Sequence, residues 1–179
     1  MRINVVGTSG SGKTTFARQI AQRCNIPYIE MDALFWQPNW TESTDEEFFP
    51  RLEQALSSDD WVLDGNYQRT QPIKWRRVQT VVYLDLPFRV VLYRMIRRCL
   101  VRGWKREELW AGNRETLWKH IFTRDSMILW TISSFPKLRR RYATAFATPE
   151  YSHISFVRLR SRKETADFLE HGLMELQPG

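Results

Sequence analysis

The chain has 179 residues, of which 42% are hydrophobic and 26% charged, a composition typical of one globular domain with a sizeable core. The sequence contains no apolar run of about 18 residues and no signal peptide, so we expect a cytoplasmic protein with no membrane association. The net charge of +7 is compatible with binding either nucleic acid or phosphorylated small molecules, so the charge alone does not distinguish these two kinds of partner.

A phosphate-binding motif occupies residues 7–14, which read Gly-Thr-Ser-Gly-Ser-Gly-Lys-Thr. It follows an apolar run typical of a buried strand and precedes a helical pattern, which is the context that the motif requires. Glycines let backbone N–H groups turn towards an anion, Lys13 would reach the β- and γ-phosphates, and the Thr14 hydroxyl would bind Mg²⁺. The motif therefore predicts binding of a nucleoside triphosphate with Mg²⁺. The predicted nucleotide-binding residues are Gly7, Ser9, Gly10, Ser11, Gly12, Lys13, Thr14 and Thr15.

Apolar strands alternate with helical patterns, which predicts an α/β domain with a parallel sheet. Strands are expected near 2–6, 27–30, 60–64, 79–84 and 152–158, and helices near 13–24, 45–57, 87–101 and 162–171, with several more within 106–146. Ser43 or Thr44, followed by Glu46 or Glu47, predicts the start of the second helix. We expect residues 1–179 to form a single domain that carries a helical lid insertion at about 103–146.

The helix expected after Pro87 has an apolar stripe and an arginine face. The stripe is predicted from Leu92, Met95, Ile96, Cys99 and Leu100, and the opposite face from Arg94, Arg97 and Arg98. Two interpretations of the arginines remain open. They form either a solvated surface or a group that clamps phosphates or stacks on a base.

Three aspartates follow predicted strands at the sheet edge where open α/β sheets bind ligands. Asp64 and Asp85 are both candidates to hold Mg²⁺, and we favour Asp64. Asp32 could accept a proton from a substrate hydroxyl, hydrogen-bond a ribose, or cap the helix that follows. The aromatic segment 34–40 beside it would line a pocket or pack in the core.

A basic cluster, residues 137–142, lies near the end of the predicted insertion. One interpretation is a lid in which Arg139, Arg140 and Arg141 bring positive charge over the transferring phosphoryl group. The other is a basic helix terminus that complements the helix dipole.

These motifs resemble the adenylate-kinase-related nucleoside and nucleotide kinases and, within that group, the DNA topology modulation proteins. The resemblance covers essentially the whole chain. It implies a three-layer P-loop NTPase fold with a five-stranded parallel sheet of order 2-3-1-4-5, which places Asp64 beside the phosphate loop. It also implies that Arg98 lies against the adenine and makes Arg69 a candidate for contacting an acceptor phosphate. Besides the phosphate loop, it rests on residues 31–40, 64–67, 84–87, 94–98, 108–115 and 139–142.

The resulting hypothesis is an ATP-using, Mg²⁺-dependent small-molecule kinase, either monomeric or homodimeric. Lys13, Asp32, Arg94, Arg139 and Arg140 are its predicted catalytic residues, and Thr14 and Asp64 its predicted metal ligands. Its acceptor would be a nucleoside, a nucleotide or a hydroxylated metabolite. Two alternatives remain: a nucleotide-binding regulator that contacts DNA through the basic insertion, and a nucleoside triphosphate hydrolase without an acceptor.

Overall fold

The computed structural model describes residues 1–105, 108–113 and 127–176. Strands and helices alternate through most of this length, as the apolar patterns predict. The strands are β1 (Arg2–Gly7), β2 (Tyr28–Glu30), β3 (Trp36–Gln37), β4 (Thr41–Glu42), β5 (Trp61–Asp64), β6 (Thr80–Leu84) and β7 (Ser155–Leu159). The α-helices are α1 (Lys13–Cys24), α2 (Met31–Phe35), α3 (Asp45–Ala55), α4 (Gln71–Lys74), α5 (Phe88–Lys105), α6 (Met127–Ala147) and α7 (Arg162–Asp167).

Five strands form one parallel sheet in the order β2-β5-β1-β6-β7. Counted among themselves, these strands have the order 2-3-1-4-5, so the predicted fold class and strand order are confirmed. Strand β1 lies at the centre, and its Val5 is in register with Asp64 of β5. The carboxyl end of β5 therefore lies beside the loop that leaves β1. Strands β3 and β4 pair separately as a short antiparallel hairpin.

Alternating side chains along the sheet enter two cores, one on each face. On one face, Leu63 and Tyr83 belong to a cluster with residues of α2, α3 and α6. On the other face, Val62 and Val82 belong to a cluster with α1 and the segment after α7. The sheet is thus the middle layer of three, and its carboxyl edge stays open between the helical layers.

Local signals account for the helix boundaries. Thr44 and Glu47 form the predicted capping box at the start of α3. Helix α1 ends at Cys24, and the next residue, Asn25, has a left-handed conformation with φ of 51°. Both cysteines are free thiols, with Cys99 buried and Cys24 half-buried.

The predicted buried stripe of α5 is partly wrong. Val91, Met95 and Cys99 form the buried line, whereas Ile96 and Leu100 are 39% and 53% exposed. The helix is rotated so that the flank carrying arginines, rather than the Ile96 flank, adjoins the phosphate loop. Long arginine stems can cover apolar surface while their guanidinium groups reach polar partners, which a simple count of hydrophobic positions misses.

The predicted insertion at 103–146 is described at the end of α5, at residues 108–113 and in α6. Residues 106–107 and 114–126 lie outside the described residues, so the expectation of several helices there stays a prediction. None of the described helices is both long enough and apolar enough to cross a membrane.

Candidate functional site

The phosphate loop joins β1 to the first turn of α1 and forms an anion cradle. Gly10 and Gly12 have φ of 85° and 93°, a left-handed conformation that side chains disfavour. A Cβ at Gly10 would also lie 2.7 Å from the Val91 carbonyl oxygen of α5. These glycines let the loop turn tightly and pack against α5, and α1 adds the positive end of its dipole. The Ser11 hydroxyl is buried there without a hydrogen-bond partner among the described residues.

A cleft of about 2750 Å³ extends from this cradle along the open edge of the sheet. Its wall includes the whole phosphate loop, and Lys13 and Asp32 face the same space. Residues of the β3–β4 hairpin, of segment 108–113 and of α6 complete the wall. The phosphate cradle and the candidate acceptor base therefore share one cleft.

Asp64 and Thr14 form the candidate metal centre. The Thr14 hydroxyl donates to Asp64 Oδ2 at 2.6 Å, and the Tyr28 hydroxyl donates to the same oxygen at 3.2 Å. Asp64 Oδ1 is buried and accepts no hydrogen bond from the described part of the chain. Burial raises the pKa of Asp64, and the nearby Lys13 ammonium group opposes that rise. A buried, under-compensated carboxylate beside a hydroxyl fits Mg²⁺, which takes few protein oxygens and completes its shell with phosphates and water.

Asp85, the other metal candidate, is already paired with arginine side chains. Arg158 binds its Oδ2 through two nitrogens, and Arg139 Nε lies 3.3 Å from the same oxygen. The Tyr83 hydroxyl donates to Oδ1 at 3.3 Å. This carboxylate therefore stabilises the junction of β6, β7 and α6, and Asp64 is the better metal candidate.

Two of the three arginines on the predicted arginine face of α5 contact the phosphate loop. Arg94 donates to the Ser11 carbonyl oxygen at 2.9 Å, and Arg98 donates to the Ser9 hydroxyl at 2.7 Å. Partial burial, together with the charge of Arg162, lowers the pKa of Arg94. Of the two interpretations of this face, the phosphate-binding one fits Arg94 and Arg98, whereas Arg97 is exposed.

Asp32 lies in the first turn of α2, directly after β2. Glu30 occupies the N-cap position of this helix and makes no side-chain cap, so Asp32 is not the capping residue. Its Oδ1 accepts a hydrogen bond of 2.6 Å from the Tyr67 hydroxyl. Burial, followed by the negative charge of Asp32, raises the pKa of Tyr67 well above its ordinary value. The tyrosine hydroxyl therefore keeps its proton and acts as a donor.

Tryptophans form the wall of the cleft near Asp32. The rings of Trp36 and Trp40 meet edge-on with centroids 5.5 Å apart, and both residues line the cleft together with Trp110. Asn113 joins two segments of this wall. Its Nδ2 donates to the Gln37 carbonyl oxygen at 2.8 Å, and its Oδ1 accepts from the Trp40 N–H at 2.8 Å. Segment 108–113 is thereby fixed to the β3–β4 hairpin.

The basic cluster divides between two environments. Arg141 and Lys137 line the cleft, and Arg141 donates to the Asn66 carbonyl oxygen at 3.2 Å. Arg139 is paired with Asp85, and Arg140 is exposed; neither lines the cleft. The interpretation as a basic helix terminus is wrong, because α6 continues to Ala147 and the cluster lies inside it. Of the cluster's cations, only Lys137 and Arg141 face the cleft as the lid interpretation requires.

The arginines near Asp32 make contacts within the fold. Arg69 pairs with Asp45 at 3.0 Å and stacks 4.8 Å from the Phe35 ring centroid. Arg51 donates to the Ser43 hydroxyl at 3.2 Å. Arg69 also lines the cleft, so its expected role at an acceptor phosphate stays a prediction.

Sequence reasoning missed the roles of Tyr67 and Asn113. Both residues lie in segments that the resemblance singled out, 64–67 and 108–115, but no spacing rule links Tyr67 to Asp32 or Asn113 to Trp40. Only the fold brings these pairs together.

The fold and the phosphate loop define a P-loop protein of the three-layer α/β class. The family described as "AAA domain" matches residues 3–119, and the chain belongs to this family. No curated protein matches the chain.

Solved structures of similar fold cover nearly the whole chain. A shikimate kinase from Acinetobacter baumannii in complex with shikimate has a TM-score of 0.60 at 17% identity, covering 98% of this chain and 92% of that one. A shikimate kinase from Aquifex aeolicus vf5 has a TM-score of 0.57 at 17% identity, covering 98% and 96%. A gluconokinase from Sinorhizobium meliloti 1021 has a TM-score of 0.54 at 19% identity, covering 98% and 92%. At these identities the similarity establishes the fold.

Proposed function

We propose that the protein is a kinase that transfers the γ-phosphoryl group of ATP to a hydroxyl group of a small molecule. The observation that carries this proposal is the shared cleft, which is lined by the phosphate loop, by Thr14 of the candidate metal centre and by Asp32. Solved kinases of the same fold support it. The proposal does not depend on the resemblance to DNA topology modulation proteins, because the family match does not support that subgroup.

We assign a different role in phosphoryl transfer to each group of residues in the cleft. Backbone amides of the loop and Lys13 would bind the phosphates, and Thr14 and Asp64 would hold Mg²⁺. The metal, when bound, neutralises charge on the phosphate oxygens. Arg98 would lie against the adenine, and Arg94 would contact the phosphates.

Asp32 would orient and deprotonate the acceptor hydroxyl. Within the basic cluster, we assign Arg141 to the charge developing on the phosphoryl group, because it lines the cleft and donates to Asn66, a residue hydrogen-bonded to the phosphate loop. We give Arg139 and Arg140 no catalytic role, since one pairs with Asp85 and the other is exposed. Catalysis would come mainly from positioning and electrostatic stabilisation.

The test is a screen for acceptor-stimulated release of ADP by the purified full chain with Mg²⁺ and ATP. The panel contains nucleosides, nucleoside monophosphates, and sugars and hydroxy acids. We expect a hydroxyl acceptor to stimulate ADP release by the wild-type protein and not by the Lys13→Ala variant. This variant should remain folded, because Lys13 lies at the cleft surface. Equal ADP release with and without every acceptor would instead favour a hydrolase.

Two further measurements separate the alternatives. Asp32→Asn should lower kcat much more than ATP affinity, whereas equal losses would contradict a role as acceptor base. Binding of duplex DNA that weakens steeply between two salt concentrations, without acceptor-stimulated turnover, would favour the regulator.

A further inference from the structure

The Tyr67 hydroxyl is the hydrogen-bond partner of the candidate acceptor base. Its bond to Asp32 Oδ1 is 2.6 Å long, at the short end of the range for hydroxyl donors. Among the described residues, no other group donates a hydrogen bond to the Asp32 carboxylate. One carboxylate oxygen is therefore held by the protein, and the second is left for a ligand in the cleft.

Aromatic packing fixes the ring that carries this hydroxyl. The Tyr67 ring centroid lies 4.9 Å from that of Phe35 and 5.6 Å from that of Phe48. Phe35 and Phe48 are themselves buried in the core. A ring held in this way can deliver its hydroxyl to one position, which a mobile surface tyrosine could not do.

The backbone of Tyr67 is also tied down, and its neighbour is tied to the phosphate loop. The Tyr67 carbonyl oxygen accepts from the Thr70 hydroxyl at 2.8 Å and from Lys74 Nζ at 3.4 Å. Asn66 Nδ2 donates to the Gly7 carbonyl oxygen at 3.2 Å. A continuous set of contacts therefore connects the phosphate loop to Asp32 through the turn that follows β5.

We infer that Tyr67 is a positioning residue for phosphoryl transfer, which holds Asp32 so that its second oxygen meets the acceptor hydroxyl. This inference rests on the proposed kinase function. In the step, the acceptor oxygen forms a bond to the γ-phosphorus while the bond between that phosphorus and the β,γ-bridging oxygen breaks. ADP leaves with the electron pair, and the hydroxyl proton passes to the second oxygen of Asp32 and then to solvent. Tyr67 keeps its proton throughout.

The test replaces Tyr67 by phenylalanine, which removes the hydroxyl and keeps the aromatic packing. With an acceptor from the screen, Tyr67→Phe should lower kcat about 10- to 100-fold, the usual effect of losing a hydrogen bond to a charged group. The KM for ATP should stay within about twofold, because the phosphate cradle is intact. Tyr151→Phe is the matched control. It removes a hydroxyl that accepts from Gln71 at 3.1 Å outside the cleft, and it should retain wild-type kcat.

A double variant distinguishes positioning from general structural support. If Tyr67 acts through Asp32, Tyr67→Phe should cause no further loss of kcat in the Asp32→Asn background. Independent losses that multiply, or wild-type kcat in Tyr67→Phe, would overturn the inference. A wild-type protein that binds ATP but transfers no phosphoryl group to any acceptor would overturn the proposed function and this inference with it. That outcome is distinguishable, because it is seen in the wild type.

Discussion

Lys74 is a buried cation whose replacement should change how stability depends on pH. The residue is 2% exposed, its Nζ donates to the Tyr67 carbonyl oxygen, and no carboxylate among the described residues pairs with it. Burial, with a smaller contribution from the charge of Arg141, lowers the pKa of Lys74 from 10.5 to about 7. The folded protein thus favours the neutral amine more than the unfolded chain does.

The sign of the effect follows from proton binding. Between pH 7 and pH 10.5 the unfolded chain holds more protons at Lys74 than the folded protein does, so stability rises with pH. Each pH unit in this window changes the free energy of unfolding by at most about 1.4 kcal/mol, which gives a rise of about 2 kcal/mol from pH 7 to pH 9. Lys74→Met keeps a similar shape and removes the titrating group, so this rise should be absent.

The assay is urea unfolding followed by tryptophan fluorescence at pH 7, 8 and 9. Other groups that titrate in this range contribute equally to the wild type and the variant, so the difference in pH slope isolates Lys74. Lys163→Met, at an exposed position on α7, should retain the wild-type slope. Parallel slopes for the wild type and Lys74→Met would refute the reasoning, even if the variant were less stable at every pH.

Three further predictions concern the cleft. Asp64→Asn should weaken Mg²⁺-dependent binding of ATP by about 10-fold or more in calorimetry, while Asp85→Asn should leave that binding unchanged. Asp85→Asn should instead lower the free energy of unfolding by about 3 kcal/mol, because Arg158 loses its partner. If Asp85→Asn weakened ATP binding and Asp64→Asn did not, Asp85 would be the metal ligand. Asn113→Ala should speed amide hydrogen exchange at Trp40, whose N–H donates to the Asn113 side chain. Unchanged exchange there would show that this hydrogen bond does not hold the hairpin. Saturating ATP should change the tryptophan fluorescence if the insertion closes, and a silent titration would argue against closure.

The sequence predicts those parts of the molecule that depend on short-range patterns. The phosphate loop has its own motif, and apolar runs locate the five strands of the sheet. The strand order implied by the resemblance then brings Asp64 beside Thr14, as observed. Local chemistry and known topology were sufficient for this half of the site.

The remaining half depends on contacts between residues distant in sequence. The orientation of α5 brings Arg94 and Arg98 to the phosphate loop through tertiary contacts, which hydrophobic spacing does not encode. The preference of Arg139 for Asp85 is likewise a tertiary contact. The hydrogen bond between Tyr67 and Asp32 joins two segments that only the assembled sheet brings together.

The position of β1 at the centre of the sheet has a consequence for biosynthesis. Ile3 lies opposite Val62 on one side and Thr80 on the other, so the pairing of β1 is completed only after both later strands have been synthesised. Pairings between such distant segments slow folding, because the entropy cost of closing a long loop comes before the stabilising contacts form. Until then the apolar run at 3–6 remains open to association with other nascent chains, and we expect a chaperone that shields short hydrophobic stretches to raise the yield of native protein.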